Sequence, residues 1–267
     1  MPPSPGRFAA GWLAAGIDLL FPPRCRLCRR EGNAWEDGAD GETGRGLDAT
    51  GFCTACVAGF GGDEARCLRC GCPGPGTGCR GCRGRRADHD GIVILGRYQG
   101  ELREAVLRAK RPGARDIADG LGRLLHARHG PTIATWEVDA VVPVPMHWRR
   151  RLLRGGSTAD VLGASIARAA DAPCVRLLRR RRATVMQNRL PLGERRRAVR
   201  GAFVTRSDGV AGRRLLLVDD VVTSGGTIAA CCRTLAAAGA EAVFVAVVAR
   251  ADHDGDDEVP ADGRSVG

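Results

Sequence analysis

Leu215-Leu-Leu-Val-Asp-Asp-Val-Val-Thr-Ser-Gly-Gly-Thr227 is the stretch on which the reading of this chain turns. Together with Arg214 it opens as a continuous apolar run, the pattern of a strand buried on both faces of a parallel sheet. This strand, Arg214–Asp219, is expected to end in two carboxylates, and a short loop rich in hydroxyls and glycine then opens a helix over Gly226–Ala238. Backbone N–H groups of Ser224–Thr227, the helix dipole and the hydroxyls of Thr223, Ser224 and Thr227 together can surround a phosphate dianion. Gly225 and Gly226 let the backbone come close to it. Asp219 and Asp220 cannot face that phosphate, so they are expected to reach vicinal sugar hydroxyls or a hydrated metal. Phosphate plus diol points to a ribose 5-phosphate moiety. Two plainer readings compete: a carboxylate metal cluster of the receiver-domain kind, and hydroxyls that merely cap a helix.

Outward from this stretch the chain alternates strand and helix patterns. Gly91–Tyr98, Val138–Val144 and Ala242–Ala249 read as strands, and Cys174–Leu178 as a further short apolar run. Leu102–Ala109, Ile117–Ala127 and Ser157–Ala170 carry helical spacing. That alternation predicts an α/β domain over residues 89–250 with a parallel sheet covered on both faces. Just beyond a strand, Val142-Pro-Val-Pro-Met-His-Trp-Arg-Arg150 places His147, Arg149 and Arg150 where open α/β sheets bind ligands. Pyrophosphate, which needs cations, suits them. Arg179–Arg200 is arginine-rich with Glu194 its one acid, a composition suited either to a loop that closes over a highly charged ligand or to a solvated surface.

The cysteines are concentrated upstream: of 12, nine lie between Cys25 and Cys82. They form four C-x2-C pairs, Cys25/Cys28, Cys53/Cys56, Cys67/Cys70 and Cys79/Cys82, with Cys72 as a spare. Each pair puts two thiolates on one side of a tight knuckle, and two knuckles complete the tetrahedral sulfur shell that zinc prefers. The expectation is a double zinc ribbon over residues 25–88, one zinc on the first four cysteines and a second on the last four, with interleaved pairing left open. With protein filling all four positions, the ions would stabilise a segment that has little core of its own. A redox dithiol and a nucleic-acid-binding ribbon are the alternatives, the latter because Arg26, Arg29, Arg30, Arg66, Arg69, Arg80, Arg83, Arg85 and Arg86 surround the knuckles. Cys174, Cys231 and Cys232 sit in apolar patterns and read as small buried side chains.

The chain has 267 residues, is 44% hydrophobic and 27% charged, and carries a formal charge of +11. These values fit a globular protein rather than a disordered or membrane one, and the charge favours an anionic partner. Lys110 is the sole lysine among 41 basic residues, so a codon bias toward arginine is a competing source of the excess. Residues 1–24 read as a short amphipathic helix, too short to span a bilayer and lacking a convincing cleavage site, which implies no membrane span and a cytoplasmic location. Residues 31–50 read as a disordered insertion, and 251–267, with six acids, as a disordered tail.

The Leu215–Thr227 pattern resembles the signature of the type I phosphoribosyltransferases. That resemblance implies phosphoribosyl pyrophosphate with Mg2+ as the ligand, Asp219 and Asp220 as the catalytic pair on the ribose hydroxyls, and a binding set of Val218, Asp219, Asp220, Thr223, Ser224, Gly225, Gly226, Thr227, His147 and Arg149. It also implies displacement of pyrophosphate at the anomeric carbon. Together with the knuckles, Phe21-Pro22-Pro23-x-Cys25, Tyr98, Lys110, Val142-Pro-Val-Pro145, Arg154-Gly155, Thr184, Gln187 and Gly201-Ala-Phe203, the chain resembles the ComF family of competence-associated proteins. Where that family continues Arg-Gly with Phe-Asn-Gln this chain has Gly156-Ser157-Thr158, and Ala198 stands where Asn is common. The resemblance implies an association with DNA uptake and a helicase-like partner. A non-catalytic sensor of a phosphoribosyl ligand, or an adaptor holding single-stranded DNA, are the alternatives to an enzyme. Aromatics are only 4% of the chain, so any DNA contact would be mainly electrostatic.

Overall fold

The computed structural model describes residues 22–31, 47, 49–61, 64–74, 87–146, 157–181, 201–206 and 209–251, which divide into two compact units, 1–60 and 61–267. The expected N-terminal helix, most of the 31–50 insertion, Cys79, Cys82, His147, Arg149, Arg150, most of the arginine-rich stretch and the acidic tail lie outside the described residues.

In the first unit Arg24 and Glu31 bridge across a knuckle in which the Cys25 N–H donates to the Arg30 carbonyl at 2.9 Å and the Arg29 N–H to the Cys25 carbonyl at 2.9 Å. Arg29 takes a left-handed φ of 61° to close it. A short helix, α1 (Thr54–Gly59), carries Cys56, and Phe52 and Phe60 meet edge-to-face at 5.3 Å beneath it.

The second unit is built on a four-stranded sheet in the order β1 (Gly91–Arg97), β6 (Ala242–Arg250), β5 (Arg214–Val222), β2 (Ala140–Pro143), every neighbour parallel. Their β-branched and leucine runs are buried on both faces, as an all-parallel sheet requires. Helices α2 (Gly100–Ala109), α3 (Arg115–Ala134) and α4 (Thr158–Ala169) join β1 to β2 and follow it, α3 and α4 packing on each other and both touching the sheet. The opposite face, with Ile92, Val142, Leu215, Leu217, Val245 and Val247, packs against Ile228, Cys231, Cys232 and Leu235 of α5 (Gly226–Ala237). Leu178 and Phe203 of a small antiparallel pair, β3 (Leu178–Arg180) and β4 (Phe203–Thr205), join the same cluster.

Three elements differ from the sequence reading. β5 does not stop at the carboxylates: Asp219 pairs with Val247, Val221 with Ala249 and Val222 with Arg250, so both carboxylates lie within the strand. Helix α3 runs through Pro131 to Ala134, because Ile133 and Trp136 are drawn onto the sheet, where Trp136 stacks on Phe244 at 4.7 Å. Cys174 is exposed rather than buried; it makes one parallel bridge to Val141 beyond the sheet's edge, while Cys231 and Cys232 are fully buried as expected.

Close approach fixes where β2 ends. Gly163 of α4 lies so near Pro143 that a Cβ there would sit 2.8 Å from the proline ring. Gly163→Ala, which in an open helix gains stability, is expected here to lower the unfolding free energy by about 1–3 kcal/mol, as overpacking does, when measured by urea denaturation.

Candidate functional site

Strand β5 is apolar and fully buried from Leu215 to Val218, and then becomes polar. Adjacent strand residues project to opposite faces. Asp220 accordingly meets Lys110, the C-cap of α2, with Nζ 3.2 Å from Oδ2. Asp219 lies toward α5 and accepts the Asp220 backbone N–H on Oδ1 at 2.9 Å. Removal from water, with the Asp220 charge beside it, pushes the Asp219 carboxyl up to about 8; the Asp220 N–H, Lys110 and Arg180 pull the other way. Two carboxylates on consecutive residues thus stand near the end of a largely buried strand, and the charges around Asp219 do not offset its burial.

The loop after them is three residues, Thr223-Ser-Gly225, since β5 ends at Val222 and α5 begins at Gly226. Gly225 is the N-cap in a left-handed conformation, φ 70°, a turn in which a side chain is strained. The Ala229 N–H donates to the Gly225 carbonyl at 2.9 Å, which leaves the N–H groups of Gly226, Thr227 and Ile228 without a carbonyl in the helix. No side chain caps this end and no acid lies in its first turn. The hydroxyls therefore do not act as the N-cap, and amides left in this way at a helix start are suited to an oxyanion. Val218 contributes through its backbone: its side chain is buried, and its carbonyl accepts the Val144 N–H at 2.9 Å, tying the end of β2 to β5.

Arg180 lies beside Asp219 and over the Phe203 ring, 5.5 Å from its centroid. Arg180 belongs to the arginine-rich stretch whose composition suits a charged ligand, whereas Lys110 enters the sequence reading only as part of the family resemblance, with no chemistry assigned to it. For Lys110 the signal was present, since it is the only lysine in a chain whose other basic positions are all arginine. His147 and Arg149, expected at the pyrophosphate, lie outside the described residues.

The cysteines of the first unit converge. Sulfurs of Cys25, Cys28, Cys53 and Cys56 all lie within 4.8 Å of one another, with Cys25 to Cys56 and Cys28 to Cys53 both 3.8 Å. Four sulfurs about 2.3 Å from a tetrahedral zinc would stand about 3.8 Å apart, so the donor set fits the ion. Burial acts to raise the Cys25 thiol, but backbone N–H groups of Cys53, Cys28 and Leu27 outweigh it and bring it to about 7; burial and its neighbours push Cys56 well up.

In the second unit Cys67–Cys72 repeats the first knuckle. The Cys67 N–H donates to the Cys72 carbonyl at 3.0 Å, the Gly71 N–H to the Cys67 carbonyl at 2.8 Å, and Arg66 bridges Pro73. Gly71, φ 72°, stands where Arg29 stands in the first copy, and here glycine is required, since a Cβ would lie 2.1 Å from Ile94 Cδ1. The knuckle rests on β1, where the Leu68 carbonyl accepts the Ile92 N–H at 2.7 Å and Arg250 donates to the Cys70 carbonyl at 3.0 Å.

Residues 157–262 match the phosphoribosyl transferase domain. Competence protein F of Haemophilus influenzae is 30% identical over 129 residues, which are 47% of this chain and 56% of that protein, so the match spans about half of each. The ComF resemblance read from the sequence is borne out by these two findings, alongside a cysteine cluster of the zinc-ribbon kind. Among solved structures, a glutamine phosphoribosylpyrophosphate amidotransferase from B. subtilis complexed with ADP and GMP aligns with 50% of this chain and 26% of its own, at 24% identity and a TM-score of 0.36. A UMP synthase of Leishmania donovani aligns with 56% of this chain and 24% of its own, at 19% identity and a TM-score of 0.32. Among the described residues no helix is long and apolar enough to cross a membrane.

Because the Asp219 carboxyl is raised from 3.8 to about 8, the folded ligand-free protein holds a proton that the unfolded chain releases, and stability falls as pH rises through that window. Asp219→Asn removes the penalty. The variant is expected to match the parent in Tm near pH 3, to pull ahead as pH rises above about 4, and to exceed it by several degrees at pH 9 in scanning calorimetry. For the cysteines, cobalt substitution is expected to give the visible spectrum of a tetrahedral tetrathiolate, and Cys25→Ser plus Cys56→Ser to abolish the share due to the first unit.

Proposed function

We propose that the chain binds phosphoribosyl pyrophosphate with magnesium at the β5–α5 loop, through an α/β unit spanning residues 89–250, and transfers its phosphoribosyl group to an acceptor. The observation that carries this is the uncapped helix start led by left-handed Gly225, on the short loop that follows the strand bearing the paired carboxylates Asp219 and Asp220. The ribose 5-phosphate moiety has a dianion for the first and vicinal hydroxyls for the second. The match to the phosphoribosyl transferase domain over this stretch supports the same ligand.

In this reading the N–H groups of Gly226–Ile228, with Thr223 and Thr227, hold the 5-phosphate and so fix the ring. Asp219 and Asp220 accept from the ribose hydroxyls, one from each side of the strand end. Bound magnesium would offset the charge of the departing pyrophosphate. The acceptor's lone pair forms the new bond to the anomeric carbon as the bond to pyrophosphate breaks, and pyrophosphate leaves with that electron pair. The acceptor's proton passes to solvent. Positive charge that develops on the ring in the transition state lies close to the two carboxylates, where electrostatic stabilisation is effective. Lys110 positions Asp220.

The likeness to Competence protein F supports an association with competence. In this reading the association is with DNA uptake, and single-stranded DNA and a helicase-like protein are the partners. The repeat of the knuckle at Cys67–Cys72 supports a second structural zinc, held by Cys67 and Cys70 with Cys79 and Cys82.

Isothermal titration with phosphoribosyl pyrophosphate and magnesium, followed by pyrophosphate detection with a pool of acceptors, tests the reading. Binding is expected, with release on adding an acceptor. Asp219→Asn plus Asp220→Asn is expected to weaken it at least tenfold, and Gly225→Val to do likewise by straining the turn. Unchanged affinity in the double variant would remove the site assignment; binding without release would leave a sensor rather than a transferase.

A further inference from the structure

A cavity of about 650 Å³ opens beside this site and is not used by the ribose 5-phosphate cradle. Its floor is apolar, from Pro143, Pro145, Met146 and Leu178, and its wall carries Arg176, Arg179, Arg180, Arg181 and Arg206. Asp160 is the acidic group among the described lining residues, and Arg176 already holds it at 3.0 Å. The cavity also takes in the N-terminus of α4, whose N-cap is Ser157. Ser157 makes no side-chain cap bond, is only 4% exposed, and its Oγ has no hydrogen-bond partner. A hydroxyl lining a cavity, buried and unsatisfied, lacks the partner that such groups are normally found with. A helix N-terminus, that hydroxyl and a surplus of guanidinium groups all favour a negative charge.

Position and floor narrow the ligand. Pro143 pairs with Val218, one residue before Asp219, and Arg180, which lines the cavity, acts against the upward shift of the Asp219 carboxyl, so the cavity lies near the residues proposed to hold the ribose. A bare pyrophosphate, which is polar over its whole surface, has no use for two prolines, a methionine and a leucine. A flat ring does, and the volume is that of an ordinary small-molecule site.

We infer that this cavity is the acceptor subsite and that it takes a heterocycle bearing an acidic group, the ring on the Pro143–Pro145 floor and the anion between Ser157, the start of α4 and the arginines. The inference rests on the proposed phosphoribosyl transfer, whose acceptor class it names.

Two matched pairs of probes test it on the full zinc-loaded chain by titration at low salt without phosphoribosyl pyrophosphate: orotate against uracil, and nicotinate against nicotinamide. The acidic member of at least one pair is expected to bind fivefold or more tightly than its neutral counterpart. Ser157→Ala, which removes an unsatisfied hydroxyl and so is expected to fold at least as stably as the parent, and Arg206→Gln are each expected to erase most of that preference. Both should leave affinity for phosphoribosyl pyrophosphate with magnesium within twofold. Equal binding of acidic and neutral probes, or binding of neither, overturns the inference. Loss of phosphoribosyl pyrophosphate affinity in these variants also overturns it, because the cavity would then hold the pyrophosphate end. Discrimination between the probes by a chain that does not bind phosphoribosyl pyrophosphate supports the cavity as an anion site and overturns the transfer reading instead.

Discussion

The hydrogen bond from the Val144 N–H to the Val218 carbonyl, 2.9 Å, is the last rung between β2 and β5, and beyond it the two strands part company. The chain leaves β2 for α4 on one face of the sheet and leaves β5 for α5 on the other. Neighbouring parallel strands whose connections depart to opposite faces open a crevice at their carboxyl ends, and in an open α/β sheet that crevice is where a ligand can reach the backbone. The acidic pair, the uncapped start of α5 and the arginine-lined cavity all lie toward that end of the sheet. The buried run from Leu215 to Val218 makes that placement rigid.

Much of this was legible before any coordinates. A continuous apolar run flanked by helical periods specifies a buried parallel strand, and β1, β5 and β6 fall within one to three residues of where the pattern put them. What was misread traces to contacts made far along the chain. Aspartate is depleted in strands, so a local reading ends β5 at Asp219, yet the Val247–Arg250 stretch of β6 supplies ladder partners that carry β5 to Val222. The apolar spacing ends this helix at Ala127, and it continues through Pro131 because burying Ile133 and Trp136 outweighs the lost amide. Cys174 fits an apolar pattern, but it lies beyond the last full strand, joined by a single bridge to Val141, and is exposed.

The knuckles illustrate the opposite case, in which local sequence is enough. A C-x2-C turn closes by bonds within eight residues, and the two copies share their hydrogen bonds, their bridging pair and their left-handed residue although they sit in different units. The left-handed position is arginine in the first and glycine in the second, and the neighbour explains the choice, since only the second is pressed against Ile94. In the first unit the thiols that surround so small a space repel one another once ionised, so without a cation they cannot all carry charge. A divalent ion held there would turn that conflict into cohesion, the way metal binding can fold a segment with little apolar core.

Charge is distributed by the same logic in the α/β unit. A bias toward arginine accounts for a basic chain but not for the one lysine, which sits against Asp220. Lysine is a compact point charge on a flexible stem, whereas arginine is a planar fork that prefers to grip a carboxylate by both oxygens. A fork at this position would occupy Asp220 fully, and an ammonium leaves one carboxylate oxygen to accept from a ligand. Arginines, by contrast, line the cavity, where planar forks suit a flat anion and the neighbouring apolar floor suits its ring. The division between one lysine at the carboxylates and several arginines at the cavity therefore matches two different tasks: keeping an acceptor group available, and holding a negative charge in place.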